Sequence, residues 1–203
     1  LNYSRKFGNH NIGVLLGHEY YSNKYYSVGG SKSQMFSQSN KELDGAVVDG
    51  QSAYSYQTMY NNEGYFARAQ YDYLERYFAS ASFRRDASSR FHPDNRWGNF
   101  WSAGAAWIIS KENWYSIPWM NELKLKASIG SQGNDSIGSY RYTDIFSIVP
   151  SDGKISTLFS TKGNKDITWE TNTNFNAGFE FAFLDSRITG GIEYFNRMTT
   201  DML

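Results

Sequence analysis

Apolar and polar side chains alternate along two neighbouring runs between residues 64 and 100. The apolar positions are Tyr65, Ala67, Ala69, Tyr71 and Tyr73 in the first run and Tyr77, Ala79, Ala81 and Phe83 in the second. Strict alternation is typical of a strand with one apolar and one polar face. The two runs are joined by about three residues, so the pattern predicts an antiparallel hairpin.

The same period of two recurs elsewhere and predicts seven antiparallel strands in all. The further strands cover residues 9–21, 97–108, 123–130, 169–183 and 188–194, with a possible short strand at 140–145. The connections between the main strands are 22–63, 74–76, 87–96, 109–122, 134–168 and 184–187. If the strands run up and down, the two longest connections lie on the opposite side from the two shortest.

This asymmetry predicts an all-β fold, a transmembrane antiparallel β-barrel with short periplasmic turns and long extracellular loops at 22–63 and 134–168. Aromatic residues fall into two groups that fit two membrane interfaces. The group beside the short turns is Tyr71, Tyr73, Tyr77, Phe78, Trp107, Phe181 and Phe183, and the other is Tyr20, Tyr21, Trp97, Trp101 and Trp169. Because bacterial single-chain barrels have an even number of strands, seven strands do not close one.

A soluble β-sandwich remains an alternative at this point, since it also alternates and also has turns. The polar positions of two strands, Lys124 with Lys126 and the series Glu170, Asn172, Asn174 and Asn176, suit a water-filled lumen or bulk water. In a barrel, the asparagine series is expected to face the lumen and to contact a plug or a solute.

Composition narrows the function class further. Aromatic residues make up 18% of the 203 residues, and the mean hydropathy is −0.61, so apolar surface is concentrated in rings. Lys plus Arg and Asp plus Glu number 20 each, which removes any bulk electrostatic argument for binding nucleic acid. The longest uninterrupted apolar run is 105–109, far short of the roughly 18 residues that a membrane-spanning helix needs.

Catalytic and metal chemistry find no support in the sequence. The three histidines are widely separated, there is no cysteine, and the Asp-Gly pairs at 44–45 and 49–50 lack the alternating ligands of a calcium loop. We therefore expect a protein that is not an enzyme and that needs no cofactor and no metal.

Two groups are candidates for solute binding. Arg84, Arg85, Asp86 and Arg90 form the densest charge cluster, and Arg84 and Arg90 are candidate anion ligands. The alternative is that Arg84 and Asp86 line the lumen while Arg85 and Arg90 pair with loop carboxylates.

The second group consists of tyrosines in the first long connection. Tyr25, Tyr26, Tyr54 and Tyr56 are candidates for stacking on sugar rings or peptide side chains. They suit packing within the loop, or against a lid, equally well.

Several motifs resemble a known family over residues 64–203. They are YFARAQYDYLERYFASASFRRDASSRF, then NRWGNFWSAGAAWIISKENW, then LKLKASIGSQGN, then ITWETNTNFNAGFEFAFLDSRITGGIEYFNRMTTDML. In this order they resemble the barrel of SusC/RagA-type TonB-dependent outer-membrane transporters of Bacteroidota. Ala87 stands where the family usually has a glycine, so the same turn geometry is not expected there.

The resemblance implies a plugged barrel of about 22 strands, of which residues 1–203 are one part. It implies import of a large nutrient, a glycan or peptide fragment, with a SusD-like lipoprotein as lid and TonB contacted through an N-terminal part. Neither the plug domain nor a signal peptide is visible in these residues. The predicted surroundings are outer-membrane lipid, and a passive porin or structural barrel remains the alternative function.

Overall fold

The computed structural model describes residues 1–46 and 52–202, and strands account for nearly all of its regular structure. The strands are β1 (Asn2–Phe7), β2 (His10–Ser31), β3 (Ser52–Tyr73), β4 (Tyr77–Ser88), β5 (Trp97–Ile108), β6 (Met120–Asn134), β7 (Ile145–Ser151), β8 (Lys154–Thr161), β9 (Glu170–Phe183) and β10 (Ile188–Thr200). Two short 3-10 turns occupy Leu43–Gly45 and Ile109–Lys111. The described residues contain no helix that is long and apolar enough to cross a lipid bilayer.

Eight strands form one antiparallel sheet in the order β1-β2-β3-β4-β5-β6-β9-β10, while β7 and β8 pair only with each other. The strands run up and down, so the connections 8–9, 74–76, 109–119 and 184–187 share one edge, the turn edge. Within the first unit, the connections 89–96 and 135–169 share the other, the loop edge. In this unit the longest connection, 135–169, therefore lies on the opposite side from the short turns 74–76 and 184–187.

Neighbouring turns are joined along the turn edge by backbone hydrogen bonds. Leu74 N donates to Asn9 O at 2.9 Å, Ile108 N to Arg76 O at 2.8 Å, and Leu184 N to Trp119 O at 2.9 Å. These bonds satisfy backbone groups that would otherwise lie at strand ends without partners.

The chain divides into two compact units, one of residues 1–21 with the chain from Asn62 onward, the other of Ser22–Asn61. In the second unit, β2 continues to Ser31 and β3 already begins at Ser52. The prediction of a loop over the whole of 22–63 is therefore wrong in its bounds. The β2 extension, SNKYYSVGGS, does not alternate in hydropathy, whereas Tyr54, Tyr56 and Tyr60 of the β3 extension share one face.

Two further differences separate the prediction from the structure, one at β1 and one in the second long connection. β1 was not predicted, so the sheet has eight strands rather than seven. The second long connection, 134–168, holds the β7–β8 ribbon, and the short strand expected at 140–145 begins only at Ile145. The Asp-Gly pair at 44–45 lies in a 3-10 turn, whereas the pair at 49–50 lies outside the described residues.

The two faces of the sheet differ sharply in the first unit. Register pairs Ala69 with Ala81 and Phe83 with Trp101 on one side, and Gln70 with Ser80 and Ser82 with Ser102 on the other. The apolar face consists of Tyr65, Ala67, Ala69, Tyr71, Tyr73, Tyr77, Ala79, Ala81, Phe83, Arg85, Trp97, Asn99, Trp101, Ala103, Ala105, Trp107, Leu123, Leu125, Ala127, Ile129, Phe175, Ala177, Phe179, Phe181 and Phe183. The intervening residues form the polar face.

The apolar face is not covered by other described residues. Phe83 and Trp101 are 49% and 45% exposed, although rings of this size dominate the cores of soluble proteins. A soluble sandwich would bury this face against a second sheet. No second sheet lies against this face within the described residues, which argues against the sandwich, and the exposed rings suit contact with lipid.

Rings follow one another along the turn edge of this face. His10 lies 4.7 Å from Tyr73, Tyr77 stacks on Trp107 at 6.0 Å, and Phe181 stacks on Phe183 at 4.6 Å, as measured between ring centroids. Phe78, which was predicted in this group, points to the polar face, since it pairs with Asp72 and Ala106. Trp169, predicted in the other group, is buried within the loops.

Candidate functional site on the polar face

A hollow of about 560 Å³ opens on the polar face of the first unit. Its lining includes Ser4 of β1, Ser80 of β4, Ser128 of β6 and Glu193 of β10. Because β1 and β10 are the two outermost strands of the sheet, a hollow that both of them line requires the polar face to be concave. The side chains of Ser80 and Ser128, which line the hollow from β4 and β6, are small and polar.

Four charges pair with one another toward the turn edge of this surface. Lys126 Nζ lies 3.0 Å from Glu180 Oε1 and 2.9 Å from Glu193 Oε2, and Lys124 Nζ lies 3.1 Å from Glu180 Oε2. The register places Gly178 between Lys126 and Glu193, so no side chain blocks the path between them. The two cations and two anions balance, which leaves this part of the surface hydrophilic and without net charge.

Arg84 lies on the same face nearer the loop edge. Its Nε donates to both carboxylate oxygens of Asp86, at 2.8 and 2.7 Å, and its Nη2 donates to Glu19. The guanidinium also lies 5.3 Å from the centroid of the Phe66 ring. Since two carboxylates surround one cation, this group favours the lining role that was the alternative to anion binding.

Glycines make room for this arrangement. Phe66 packs directly against Gly17, where any side chain would overlap the ring, and a Cβ at Gly64 would lie 2.7 Å from Arg84 Nη2. The local backbone therefore fixes where the Arg84 guanidinium lies.

Arg90 belongs to a different group at the loop edge. Its Nη1 donates to the backbone oxygen of Asp135 at 2.8 Å and lies 3.5 Å from Asp135 Oδ1. Ser88, which is fully buried, donates from Oγ to Asp135 Oδ2 at 2.6 Å. The prediction that Arg90 pairs with a loop carboxylate is confirmed.

Three buried rings complete this group. Phe91, Phe100 and Trp169 form an apolar cluster, and Trp169 Nε1 donates to Arg96 O at 2.8 Å. We call Ser88, Phe91, Phe100, Asp135 and Trp169 the rim cluster. It joins the connection 89–96 to both ends of the connection 135–169, so these two loops have a common, fixed base.

Within the described residues Arg85 pairs with no loop carboxylate, so the structure does not support that prediction. Its side chain lies on the apolar face with its guanidinium 5.1 Å from the centroid of the Trp97 ring. Alternation along β4 is the physical reason, because consecutive residues of a strand point to opposite faces. The structure thus separates Arg84, Arg85 and Arg90 into three environments.

The candidate tyrosines lie in the second unit, where all four are more than half exposed. Tyr25 and Tyr56 form one ring pair with 6.0 Å between centroids, and Tyr54 packs against Gly29. Much of each ring surface is accessible, which is compatible with stacking on a solute. Their role in binding stays a prediction.

The asparagine series contains one residue that the wall itself uses. Asn172 is 7% exposed, and its Oδ1 accepts from Arg197 Nη2 at 2.8 Å and from Thr199 Oγ1 at 2.7 Å. These bonds hold β9 to β10 and occupy the oxygen that a plug or solute would need. This contact could have been predicted from the sequence. The short turn at 184–187 sets the register of β9 and β10, and that register pairs Asn172 with Thr199.

Within the described part of the chain, no group of three or more His, Asp or Glu side chains is placed to hold a metal ion. The concave face offers hydroxyls, amides and paired charges. Such a surface can contact a polar solute or another protein segment, but it presents no nucleophile with an adjacent base.

Comparison with known proteins gives consistent matches over the whole chain. Residues 1–203 match the family model described as TonB dependent receptor-like, beta-barrel. The chain is 32% identical to the TonB-dependent receptor SusC of Bacteroides thetaiotaomicron over 99% of its length, and 29% identical to the TonB-dependent receptor P3 of Formosa agariphila over 100%. It covers 20% and 21% of those two relatives.

Solved structures agree with the sequence matches. The chain superposes on the RagAB peptide transporter with a TM-score of 0.92 and 27% identity, covering 100% of this chain and 23% of that one. It superposes on the RagAB peptide importer in the closed-closed state with a TM-score of 0.91 and 26% identity, covering 99% and 23%. The chain thus spans about a fifth of the length of the proteins that it matches.

Proposed function

The chain belongs to the TonB dependent receptor-like β-barrel family, and on that premise we propose that it forms barrel wall and loops of a SusC/RagA-type transporter that imports a large nutrient. The match over residues 1–203 carries this proposal. The family consists of receptors and transporters with outer-membrane β-barrels rather than of enzymes. The proposed solute is a glycan or peptide fragment, since one structural relative is named a peptide importer.

The two faces of the sheet support a role in the wall. The apolar face suits the hydrocarbon region of a membrane, and the concave polar face suits a water-filled lumen. The balanced charges of Lys124, Lys126, Glu180 and Glu193 allow a plug to lie against the wall without strong attraction or repulsion. A plug, a TonB-contacting segment and a SusD-like lipoprotein lid would then come from the rest of the parent protein and from a partner.

The proposed orientation puts the turn edge in the periplasm and the loop edge outside the cell. Connection 135–169 is then an extracellular loop, and the connection between β2 and β3, predicted as a loop over 22–63, is the second extracellular loop that we propose. Tyr25, Tyr26, Tyr54 and Tyr56 are the proposed solute contacts, because their rings are exposed. Arg84 and Arg90 are assigned to the structure of the wall, because carboxylates already surround them.

Uptake by cells that carry or lack the parent gene tests this function. We expect deletion to abolish uptake of fluorescently labelled oligosaccharides or peptides above the size that porins pass, and loss of TonB to have the same effect. A surface lipoprotein should co-purify with the full-length protein from outer membranes. Uptake that persists without TonB, at the same rate, would favour the passive porin instead.

The tyrosine assignment needs its own variants. Replacing both Tyr54 and Tyr56 by Ser should raise the solute concentration for half-maximal uptake by about thirtyfold, because each stacked ring contributes roughly 1 kcal/mol. Tyr140→Ser, which removes an exposed ring from another loop, is the matched control. Equal effects of both changes would contradict a specific contact at Tyr54 and Tyr56.

A further inference from the structure

Arg85 stands on the apolar face of the wall. Among the described positions of β4 and β5 on this face, Arg85 is the one formally charged side chain and Asn99 is the one amide. The two lie directly opposite each other in the register of β4 and β5. An arginine that faces lipid at the middle of a bilayer destabilises a barrel, whereas near an interface this destabilisation is small.

The position of Arg85 along the membrane normal is close to a membrane–water interface. Arg85 follows Tyr77, a ring at the turn edge, by eight positions in the same strand. With about 3.3 Å of rise per residue and a strand tilt of about 40°, this corresponds to roughly 20 Å along the membrane normal. An apolar band of about 25 Å therefore ends close to Arg85, at the level where lipid headgroups begin.

The surroundings hold the guanidinium without neutralising it. Arg85 lies over Trp97, and the Trp97 ring also stacks with Tyr65 at 6.2 Å. The neighbouring carboxylate on this side, Glu63, accepts from Tyr65 Oη at 2.7 Å and lies 3.1 Å from His18 Nε2. No ion pair to Arg85 is present within residues 1–46 and 52–202.

We propose that Arg85, Trp97 and Asn99 bind the phosphate of a membrane-lipid headgroup. A guanidinium donates two parallel hydrogen bonds to a phosphate, and the adjacent Asn99 amide can donate a third. The Trp97 ring keeps the guanidinium plane at the interface, where the low dielectric strengthens its attraction to an anion. A phosphate in this position supplies the counter-charge that the protein does not.

The face below Arg85 suits the acyl chains of the same molecule. An apolar hollow of about 870 Å³ has side chains of Tyr77, Trp107, Leu125 and Phe179 among its lining, with alanines between them. It lies toward the turn edge, in the direction in which acyl chains extend from a headgroup at Arg85. The residues of this face between Arg85 and the hollow, Phe83, Trp101, Ala81 and Ala103, are all apolar, which favours a lipid over soluble phosphate as the occupant.

The inference rests on the proposed placement of the apolar face against lipid. It is tested on the full-length parent protein, extracted in a non-ionic detergent and delipidated. Native mass spectrometry then measures binding of monophosphoryl lipid A and of the same lipid after removal of its phosphate. We expect the wild-type protein to prefer the phosphorylated lipid by about tenfold or more, the range of one charge-assisted contact.

Three variants make the result specific. Arg85→Gln should remove the preference, and Arg85→Lys should retain part of it, because an ammonium keeps the charge but not the two parallel bonds. Lys154→Gln, which removes a cation from the exposed β7–β8 ribbon, should leave the preference unchanged. Heat-modifiable migration on a detergent gel shows that each variant is folded.

Three outcomes would overturn the proposal. They are an Arg85→Gln protein that keeps the full preference, a wild-type protein that shows none, and displacement of the lipid by millimolar inorganic phosphate. A parent protein that is extracted without detergent would instead overturn the membrane placement. The readout does not depend on solute uptake, so failure of the proposed transport function is distinguishable from failure of this site.

Discussion

The loop edge and the turn edge of the wall are both held together, but by different interactions. At the loop edge, the rim cluster buries three rings, with Phe91 at 0%, and Phe100 and Trp169 at 7% exposure. At the turn edge, the connections 74–76 and 109–119 are joined mainly by polar contacts. There, Glu112 accepts from Trp107 Nε1 at 3.0 Å and from Arg76 Nη1 at 3.3 Å.

The difference follows mainly from the connection 135–169, which is about three times as long as the longest connection at the turn edge, 109–119. Short turns lose little conformational entropy on ordering. The backbone hydrogen bonds between them and the shared Glu112 carboxylate are therefore enough to hold them together. Long loops lose more conformational entropy on ordering, and burial of large rings offsets that loss. We therefore expect substitutions in the rim cluster to destabilise the protein more than substitutions at the turn edge.

The largest effect is expected for Trp169→Ala. The change empties the centre of the rim cluster and removes the donor to Arg96 O, so the free energy of unfolding should fall by about 3–5 kcal/mol. The temperature at which the full-length protein loses its folded mobility on a detergent gel measures this. Trp114→Ala removes the same side chain from a site that is 65% exposed at the turn edge, and an equal shift for both would contradict the comparison.

A smaller effect is expected for Ser88→Ala. The buried Ser88 hydroxyl donates to Asp135, and its loss leaves a half-buried carboxylate with one donor fewer, which costs about 1–3 kcal/mol. Ser82→Ala is the matched control, because the Ser82 hydroxyl bonds only to Ser102 Oγ on the open polar face. The same thermal measurement applies, and a control that destabilises more than Ser88→Ala would contradict the assigned role.

Much of the wall could be predicted from the sequence, because its middle strands obey one rule. Between Tyr65 and Trp107 one face of the sheet is apolar and the other is polar. Alternation of apolar and polar residues therefore predicts both the strand positions and the face on which each side chain lies. The turn edge follows from the register, since a short turn determines which residues face each other. The balanced charges of Lys126 and Glu193 could have been found in the same way.

The loop edge could not be predicted from alternation. Phe91 occurs in a polar connection, and its burial depends on Trp169, which is distant in the sequence and arrives through another loop. β1 was missed because its sequence, NYSRKF, is polar on both faces near its centre. Charge alone pairs Arg85 with a loop carboxylate, whereas the alternation along β4 places this residue on the apolar face.

The smallest effect, and the one that depends on pH, is expected for Glu112→Gln at the turn edge. Hydrogen bonds from Tyr77 and then Trp107, together with the nearby Arg76 guanidinium, lower the pKa of the Glu112 carboxyl below its ordinary value. The unfolded chain, with an ordinary glutamate pKa of about 4.3, therefore takes up a proton before the folded protein does. The stabilising contribution of this carboxylate is complete above the unfolded-state pKa and is lost as the pH falls through the folded-state pKa.

Unfolding measured on the full-length protein at a series of pH values should thus show two signs of this group. Wild-type protein should be more stable than the Glu112→Gln protein at neutral pH, and the difference should shrink as the pH falls below about 4. Glu75→Gln is the control, because Glu75 is exposed and lies 3.6 Å from Lys111 at the same edge. If the two variants had the same pH dependence, or if the difference at Glu112 grew in acid, polar contacts would not be what holds the turn edge.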